Sequence, residues 1–287
     1  MTRTRVYVVG AGPAGISAAI WTRRLGLEPV VLERKTHLGG QLADYSLPIT
    51  DMPGIPQIGG QALMDELHEQ LRRLAIGVEY GCQAVDFRNH QLSLADGTKL
   101  TCRGVIYAPG VRTRTLEAPG AEAIRDVSAS QILNLPERRG LDILVVGGGD
   151  RAVEAAIRLA ESGLAVRLVH RRSQLRARAS FRQRLGQSGA DVLLNTVVAG
   201  AARSENGRLH VQLARGGDNV QVEVSHVLVR IGMEPDLLSP LAEAALNMPQ
   251  TVRLAGDAVE SPAYRSLATA FASGMRAAKG LILSWDG

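Results

Sequence analysis

The sequence lacks the residues that several common classes of protein require. It has two cysteines among 287 residues, Cys82 and Cys102, which are too few and too far apart for a disulfide framework or a zinc site. No apolar run is long enough to cross a membrane, and residues 1–5 lead directly into a predicted strand without an apolar signal segment. We therefore expect a cytoplasmic protein in a reducing compartment, with no membrane partner.

Aromatic residues are also scarce, at 3% of the chain. The formal net charge of +5 is compatible with nucleic acid, a membrane surface or an acidic protein partner. The arginines, which are densest between residues 171 and 184, are not interleaved with aromatic side chains on which bases could stack. Nucleic acid is therefore not the expected partner. The length suits two domains of ordinary size.

The first 33 residues contain the pattern of a dinucleotide-binding fold. A predicted buried strand at 6–9 leads into Gly10-Ala11-Gly12-Pro13-Ala14-Gly15, then into a helix and a second strand that ends at Glu33. The first glycine permits the tight turn, the second lets backbone N–H groups approach a pyrophosphate, and the third lets helix pack on strand. An acid at the position of Glu33 accepts the hydroxyls of an adenosine ribose and repels a 2′-phosphate.

The segment that follows alternates turns with regular elements. Leu38-Gly39-Gly40-Gln41-Leu42 predicts a turn whose backbone lies close to a ligand. Residues 45–56 predict an ordered, proline-containing loop, and residues 60–74 have the spacing of an amphipathic helix. Residues 78–108 predict a small antiparallel meander, with a buried last strand that ends at Pro109-Gly110.

The opening pattern recurs at residues 143–172. A strand, the turn Gly147-Gly148-Gly149-Asp150-Arg151-Ala152, a helix and a second strand follow in the same order, and the segments 10–33 and 147–170 have equal length. We therefore predict two dinucleotide-binding domains. The second copy ends in cations instead of an acid, namely His170, Arg171, Arg172 and Arg176. Such groups pair with a 2′-phosphate through charge-assisted bonds, so this site should prefer NADPH to NADH.

The rest of the chain contains further strands and a last helix. Strands are predicted at 192–198, 209–213 and 226–232, and residues 233–236 predict a crossing between domains. A short strand then ends at Asp257, and a helix is predicted over 266–283. A helix N-terminus there is suited to stabilising an anionic reduced flavin. Arg178, Arg182 and Arg184 are predicted to form a solvated face on a helix over 173–185.

Together, and in this order, these motifs resemble the low-molecular-weight thioredoxin reductase family. The resemblance covers nearly the whole chain and implies an α/β fold of two Rossmann-like, three-layer ββα domains, with an NADPH domain inserted into an FAD domain. It implies FAD-binding parts at 1–112 and 237–287, an NADPH-binding part at 113–236, a homodimer, and a rotation of the two domains. By the same resemblance, Asp257 binds the ribityl chain, and Arg265, Ser266 and Leu267 lie at the pyrimidine end of the flavin.

One departure from that family bears on function. Thioredoxin reductases have a Cys-x-x-Cys before the second glycine turn, whereas residues 126–140 contain Ser128, Ala129 and Ser130 and no cysteine. Cys82 and Cys102 are interpreted as ordinary buried thiols, with a redox pair as the less favoured alternative. Bacillithiol disulfide reductases have a cysteine in the first glycine turn, where this chain has Ala14.

A second branch, the thioredoxin-reductase-like ferredoxin–NADP reductases, also lacks the dithiol. Residues 39–54 are similar to the corresponding loop there, whereas residues 284–287, which follow the predicted last helix, do not resemble the aromatic tail of those enzymes. Trp285 is interpreted as a packing residue, although it could also shield a flavin. The predicted function is an FAD-dependent NADPH oxidoreductase with an external acceptor, most simply a ferredoxin- or flavodoxin-type carrier. The alternatives are a non-catalytic sensor or partner protein that binds FAD and NADPH, and a reductase of a small disulfide or quinone.

The candidate site residues fall into two groups, and no catalytic side chain or metal ligand is predicted. Those predicted for FAD are Gly10, Gly12, Pro13, Ala14, Gly15, Glu33, Arg34, Gly40, Gln41, Leu42, Ala108, Gly110, Gly256, Asp257, Arg265, Ser266 and Leu267. Those predicted for NADPH are Gly147, Gly149, Asp150, Arg151, Ala152, His170, Arg171, Arg172 and Arg176.

Overall fold

A computed structural model describes residues 4–45, 48–125 and 127–285, without the side chain of Asp44. The strands are β1 (Arg5–Val9), β2 (Glu28–Glu33), β3 (Gly77–Tyr80), β4 (Ala84–Arg88), β5 (Gln91–Leu94), β6 (Lys99–Thr101), β7 (Gly104–Tyr107), β8 (Val111–Thr113), β9 (Asp142–Gly147), β10 (Ala165–Val169), β11 (Asp191–Leu193), β12 (Thr196–Arg203), β13 (Leu209–Arg215), β14 (Asp218–Val224), β15 (His226–Arg230), β16 (Met233–Pro235) and β17 (Val252–Leu254). The α-helices are α1 (Pro13–Arg24), α2 (Gly60–Arg73), α3 (Ala129–Leu133), α4 (Asp150–Glu161), α5 (Ala179–Leu185), α6 (Pro240–Asn247) and α7 (Leu267–Leu283).

The chain forms two compact units. The first comprises residues 1–112 and 235–287, and the second comprises residues 113–234. The chain passes between them twice, in β8 and β16, which are neighbouring strands of a two-stranded sheet. No helix in the described ranges is both long enough and apolar enough to cross a membrane.

The first unit is built on a parallel sheet in the order β17-β7-β1-β2-β3. β1 is its centre, and four of its five residues are buried because both faces of the sheet are covered. Helix α1 begins with Pro13 at its first turn, where the missing N–H costs nothing. Gly274 of α7 lets α7 and α1 approach closely, since a Cβ at Gly274 would overlap the Ala14 carbonyl oxygen of α1.

The second unit repeats this arrangement with a parallel sheet in the order β11-β10-β9-β15. Helix α4 buries six residues of one face, including Val153, Ile157 and Leu159, against a core that contains Val145 and Leu168. An antiparallel sheet of β12, β13 and β14 completes the unit. The predicted α/β class is confirmed.

Several elements differ from the sequence predictions. The antiparallel meander contains only β4, β5 and β6, because β3 and β7 pair with β2 and β1 in the main parallel sheet. The helix predicted over 173–185 begins only at Ala179. Helices α3 and α6 and strand β14 were not predicted. Residues 46 and 47, which belong to the loop predicted over 45–56, lie outside the described ranges. Residue 126, in the segment before the second glycine turn, also lies outside them.

Trp285 is a packing residue. Its Nε1 donates to the Gln250 carbonyl at 3.0 Å, and the Arg103 guanidinium lies 4.4 Å from the ring centroid. Gly104 leaves room for the ring, since a Cβ there would lie 2.8 Å from it. The ring is therefore held on the first unit's core, as the packing interpretation predicted.

Candidate dinucleotide-binding sites

The first glycine turn joins the carboxyl end of β1 to α1. Gly10 has φ of +103°, and a Cβ there would overlap the Ala108 carbonyl oxygen. A Cβ on Gly15 would overlap the Gly10 carbonyl oxygen, so the helix could not approach the strand. Both positions therefore require glycine. Gly12, between them, is the N-cap residue of α1. The free N–H groups of the first helical turn make this end suitable for a pyrophosphate.

Glu33 is fixed beside that turn. It is only 6% exposed, and its Oε2 accepts a hydrogen bond from the Ala11 N–H at 2.8 Å. Its Oε1 accepts from the Lys35 N–H at 2.9 Å. Because each carboxylate oxygen has further acceptor capacity, the buried acid is positioned to receive two ribose hydroxyls.

The Gly39-Gly40 turn lies directly on the first turn. The Gly39 N–H donates to the Ala11 carbonyl at 2.8 Å. Gly40 has φ of +56°, and a Cβ there would lie 3.1 Å from the Gly12 Cα. Two stretches that are distant in the sequence therefore form one backbone surface, as the glycines predicted for this turn require.

Asp257 reaches the same region from the other end of the chain. The Gly256 N–H donates to the buried Ser273 Oγ at 2.8 Å. Gln41 Nε2 donates to Asp257 Oδ2 at 3.0 Å, whereas Asp257 Oδ1 is buried with no hydrogen-bond partner among the described residues. A buried carboxylate oxygen without a donor is costly, and a hydroxyl of a bound ligand would satisfy it. This atom therefore fits a cofactor that has a hydroxyl-bearing chain, as FAD has.

Helix α7 packs against the segment that contains Asp257. Ser266 and Thr269 form a reciprocal capping box: Ser266 Oγ accepts from the Thr269 N–H, and Thr269 Oγ1 accepts from the Ser266 N–H. Arg265 Nε donates to the Glu260 carbonyl at 3.2 Å. These bonds hold the start of the helix in place. The remaining N–H groups of its first turn are available to the anionic edge of a bound ligand.

The remaining candidates for FAD lie around these segments. Ala108 and Leu42 are buried core residues, and Gly110 has φ of +74°. Arg34 forms an ion pair with Asp236 at 3.2 Å. The structure therefore gathers the predicted stretches at the carboxyl ends of β1, β2, β7 and β17.

In the second unit, the glycine turn supports His170. A Cβ on Gly148 would overlap the His170 ring, so the imidazole packs directly on the turn. Burial, and then the charges of the neighbouring arginines, lower the pKa of His170. The lowered pKa favours the neutral form of the imidazole, and its predicted pairing with a 2′-phosphate as a cation stays a prediction. The ring supports the turn, next to which the arginines are the exposed cations.

Arg171, Arg172 and Arg176 are exposed and have no carboxylate partner in the described part of the chain. The loop that contains them is held on the turn, because the N–H groups of Arg176 and Ala177 both donate to the Gly148 carbonyl, at 2.7 and 3.0 Å. Three guanidinium groups without counter-charge next to a phosphate-binding turn are suited to a phosphate monoester.

Arg178 differs from the prediction of a merely solvated charge. Its Nε donates to Asp150 Oδ2 at 2.8 Å, and its backbone N–H donates to Asp150 Oδ1 at 2.8 Å. Arg184 pairs with Glu161, and Arg182 donates to the Ala177 carbonyl. No sequence pattern predicted the Asp150 contact, because it joins two segments 28 residues apart.

The two cysteines are free thiols in the first unit. Burial raises the pKa of the Cys102 thiol to about 12. Burial, with Glu79 and Asp96 nearby, also raises the pKa of Cys82. Because the thiolate is the reactive form, neither environment favours thiol chemistry.

The segment that precedes the second glycine turn is a short capped helix. Ser128 caps α3 through a capping box with Gln131, and Ser130 Oγ accepts from Arg158 of α4 at 3.3 Å. Both serines therefore have structural partners. This is the segment in which the family that the chain resembles has its dithiol.

Comparison with known proteins places the chain in a class. Residues 4–257 match the pyridine nucleotide-disulphide oxidoreductase family. The chain is 30% identical to the thioredoxin reductase of Bacillus subtilis (strain 168) over 246 residues, which are 82% of this chain and 77% of that protein. It is 33% identical to the bifunctional thioredoxin reductase/thioredoxin of Mycobacterium leprae (strain TN) over 295 residues, 95% of this chain and 64% of that protein. Its fold matches Lactococcus lactis thioredoxin reductase with a TM-score of 0.82 at 24% identity, over 98% of this chain and 99% of that one.

The chain therefore belongs to the pyridine nucleotide-disulphide oxidoreductases. Within them it is a member of the low-molecular-weight thioredoxin reductase-like flavoproteins, an oxidoreductase family whose cofactors are FAD and NADPH.

Proposed function

We propose that this protein is an FAD-dependent NADPH oxidoreductase, which binds FAD in its first unit and NADPH in its second and passes electrons to an external acceptor. When bound, FAD accepts a hydride from NADPH and releases the electrons to that acceptor. The observation that supports this proposal is the absence of cysteine from residues 126–140 in a chain that has two complete glycine turns. The segment where the dithiol is expected has no cysteine, while both glycine turns are present.

The residues of the first unit would bind and orient FAD. Glu33 would receive the adenosine ribose, the N-terminus of α1 the pyrophosphate, and Asp257 Oδ1 a ribityl hydroxyl. The start of α7 would face the anionic edge of the reduced ring. Because hydride transfer depends mainly on orientation and exclusion of water, this arrangement needs no acid–base side chain.

The acceptor in this proposal is an acidic one-electron carrier of the ferredoxin or flavodoxin type. A net charge of +5 favours association with an acidic protein through electrostatic steering. We further propose that the protein acts in the cytoplasm as a homodimer, as the family resemblance implies.

Anaerobic mixing of the FAD-loaded protein with NADPH should bleach the flavin absorbance. Reoxidation should then occur with one member of a panel that contains ferredoxin, flavodoxin, quinones and small disulfides. An oxidised spectrum that never changes would refute the proposal. Flavin reduction without turnover on any carrier would instead favour a sensor, and turnover on a disulfide or quinone alone would reassign the acceptor.

Replacing both cysteines, by Cys82→Ala with Cys102→Ala, should leave the rate of NADPH oxidation by the identified acceptor unchanged. Neither thiol is in an environment that favours the thiolate, so neither is expected to relay electrons. The measurement is steady-state turnover of the FAD-loaded double variant. Its thermal transition serves as the control for folding. Loss of turnover with retained flavin reduction by NADPH would show a thiol relay.

A further inference from the structure

The loop between β10 and α5 contains the three arginines proposed for NADPH. Its position depends on contacts with the second glycine turn. The two backbone bonds to the Gly148 carbonyl hold Arg176 and Ala177. Beyond them the chain is held by Asp150, which accepts one bond from the backbone and one from the side chain of Arg178. Four hydrogen bonds therefore join the arginine loop to the turn.

Asp150 is an unusual neighbour for a phosphate. It is the first residue of α4, where a carboxylate stabilises the helix through its dipole but would repel a pyrophosphate bound at the same end. The Arg178 guanidinium, at 2.8 Å, compensates that charge. The backbone bond also fixes the Asp150 rotamer toward the loop.

We propose that Arg178 is a positioning residue for the 2′-phosphorylated nucleotide. It neutralises Asp150 at the phosphate-binding turn and, through the same carboxylate, joins the end of the arginine loop that follows Arg176 to that turn. This inference rests on the proposed function, since it concerns the proposed NADPH site. Arg178 itself is not assigned a contact with the nucleotide.

The test uses the FAD-loaded protein and titration calorimetry with NADP⁺ and with NAD⁺. Arg178→Ala should weaken NADP⁺ binding about tenfold, because it leaves the Asp150 charge uncompensated and removes one of the four hydrogen bonds that join the loop to the turn. NAD⁺ binding should weaken less, since NAD⁺ has no 2′-phosphate for the arginines to bind. The KM for NADPH should rise in parallel, while kcat at saturating NADPH stays unchanged.

Two further variants separate this role from a general loss of structure. Asp150→Asn combined with Arg178→Ala should bind NADP⁺ better than Arg178→Ala alone, because the uncompensated carboxylate is gone. Arg178→Lys should restore part of the affinity by keeping the ion pair. A double variant that binds no better than Arg178→Ala would refute the neutralising role.

Arg184→Ala is the matched control. Arg184 forms a comparable ion pair, with Glu161, at the opposite end of α4 from the glycine turn. The Arg184→Ala variant should bind NADP⁺ with the same affinity as the unmodified protein. If Arg178→Ala behaves like this control, the inference is wrong although the proposed function stands. If the unmodified protein neither binds NADP⁺ nor is reduced by NADPH, both fail together.

Discussion

Replacing Asp257 by alanine is expected to weaken FAD binding while stabilising the protein without FAD. The two effects have one cause, because Asp257 Oδ1 is buried with no donor among the described residues. In the FAD-free protein that oxygen costs about 1–3 kcal/mol, and Asp257→Ala removes this cost. In the FAD-loaded protein the substitution removes a charge-assisted bond of about 1.5–3 kcal/mol, which corresponds to a 10- to 100-fold rise in the dissociation constant.

The dissociation constant can be measured from the fluorescence of released flavin, and stability from thermal unfolding with and without FAD. The variant should show a higher unfolding temperature than the unmodified protein without FAD and a smaller increase on adding it. Glu28→Gln is a suitable control, since Glu28 pairs with Arg5 at the opposite end of β2 from Glu33. An unchanged FAD affinity, with a raised unfolding temperature, would show that Oδ1 does not contact the cofactor.

The glycine turns could be predicted from sequence because their requirement is steric and local. Gly10 and Gly15 have no room for a Cβ, and the strand and helix on either side have distinct periodicities. Glu33 could be predicted as well, because the length of α1 and β2 fixes where the second strand ends. These features depend on residues close together in the chain.

Features that depend on distant residues could not be predicted in this way. Residues 173–178 have a composition compatible with a helix, but the N–H groups of Arg176 and Ala177 bond to Gly148, and α5 begins only at Ala179. Likewise, β3 and β7 were assigned to a local meander because nothing in their own residues indicates a parallel partner. Long-range pairing overrides local pattern at each of these places.

The charge of a side chain also depends on packing that the sequence does not reveal. His170 precedes two arginines and was grouped with them, yet the Gly148 backbone seats its ring in a buried position and lowers its pKa. Arg178 was grouped with surface charges, yet it contacts Asp150 across 28 residues. The stretches of chain predicted for the site lie together in the structure, but the contacts of these two residues could not be predicted from the sequence.

Replacing Arg171 and Arg172 together by alanine should raise the KM for NADPH far more than that for NADH. Both guanidinium groups are exposed beside the second glycine turn, and neither has a carboxylate partner within the described ranges, so their full charge is available to a 2′-phosphate. Each charge-assisted bond is worth about 1.5–3 kcal/mol, so losing two should change the NADPH to NADH preference by at least about 100-fold.

The measurement is steady-state reduction of one acceptor at varied NADPH and NADH, with kcat and KM determined separately. Arg138→Ala with Arg139→Ala is the control, because it removes two adjacent exposed arginines from the same unit and so tests the effect of net charge alone. That control should leave both KM values nearly equal to those of the unmodified protein. Equal changes for NADPH and NADH in the Arg171 and Arg172 variant would mean that these arginines act as general surface charge, because only a contact with the 2′-phosphate distinguishes the two nucleotides.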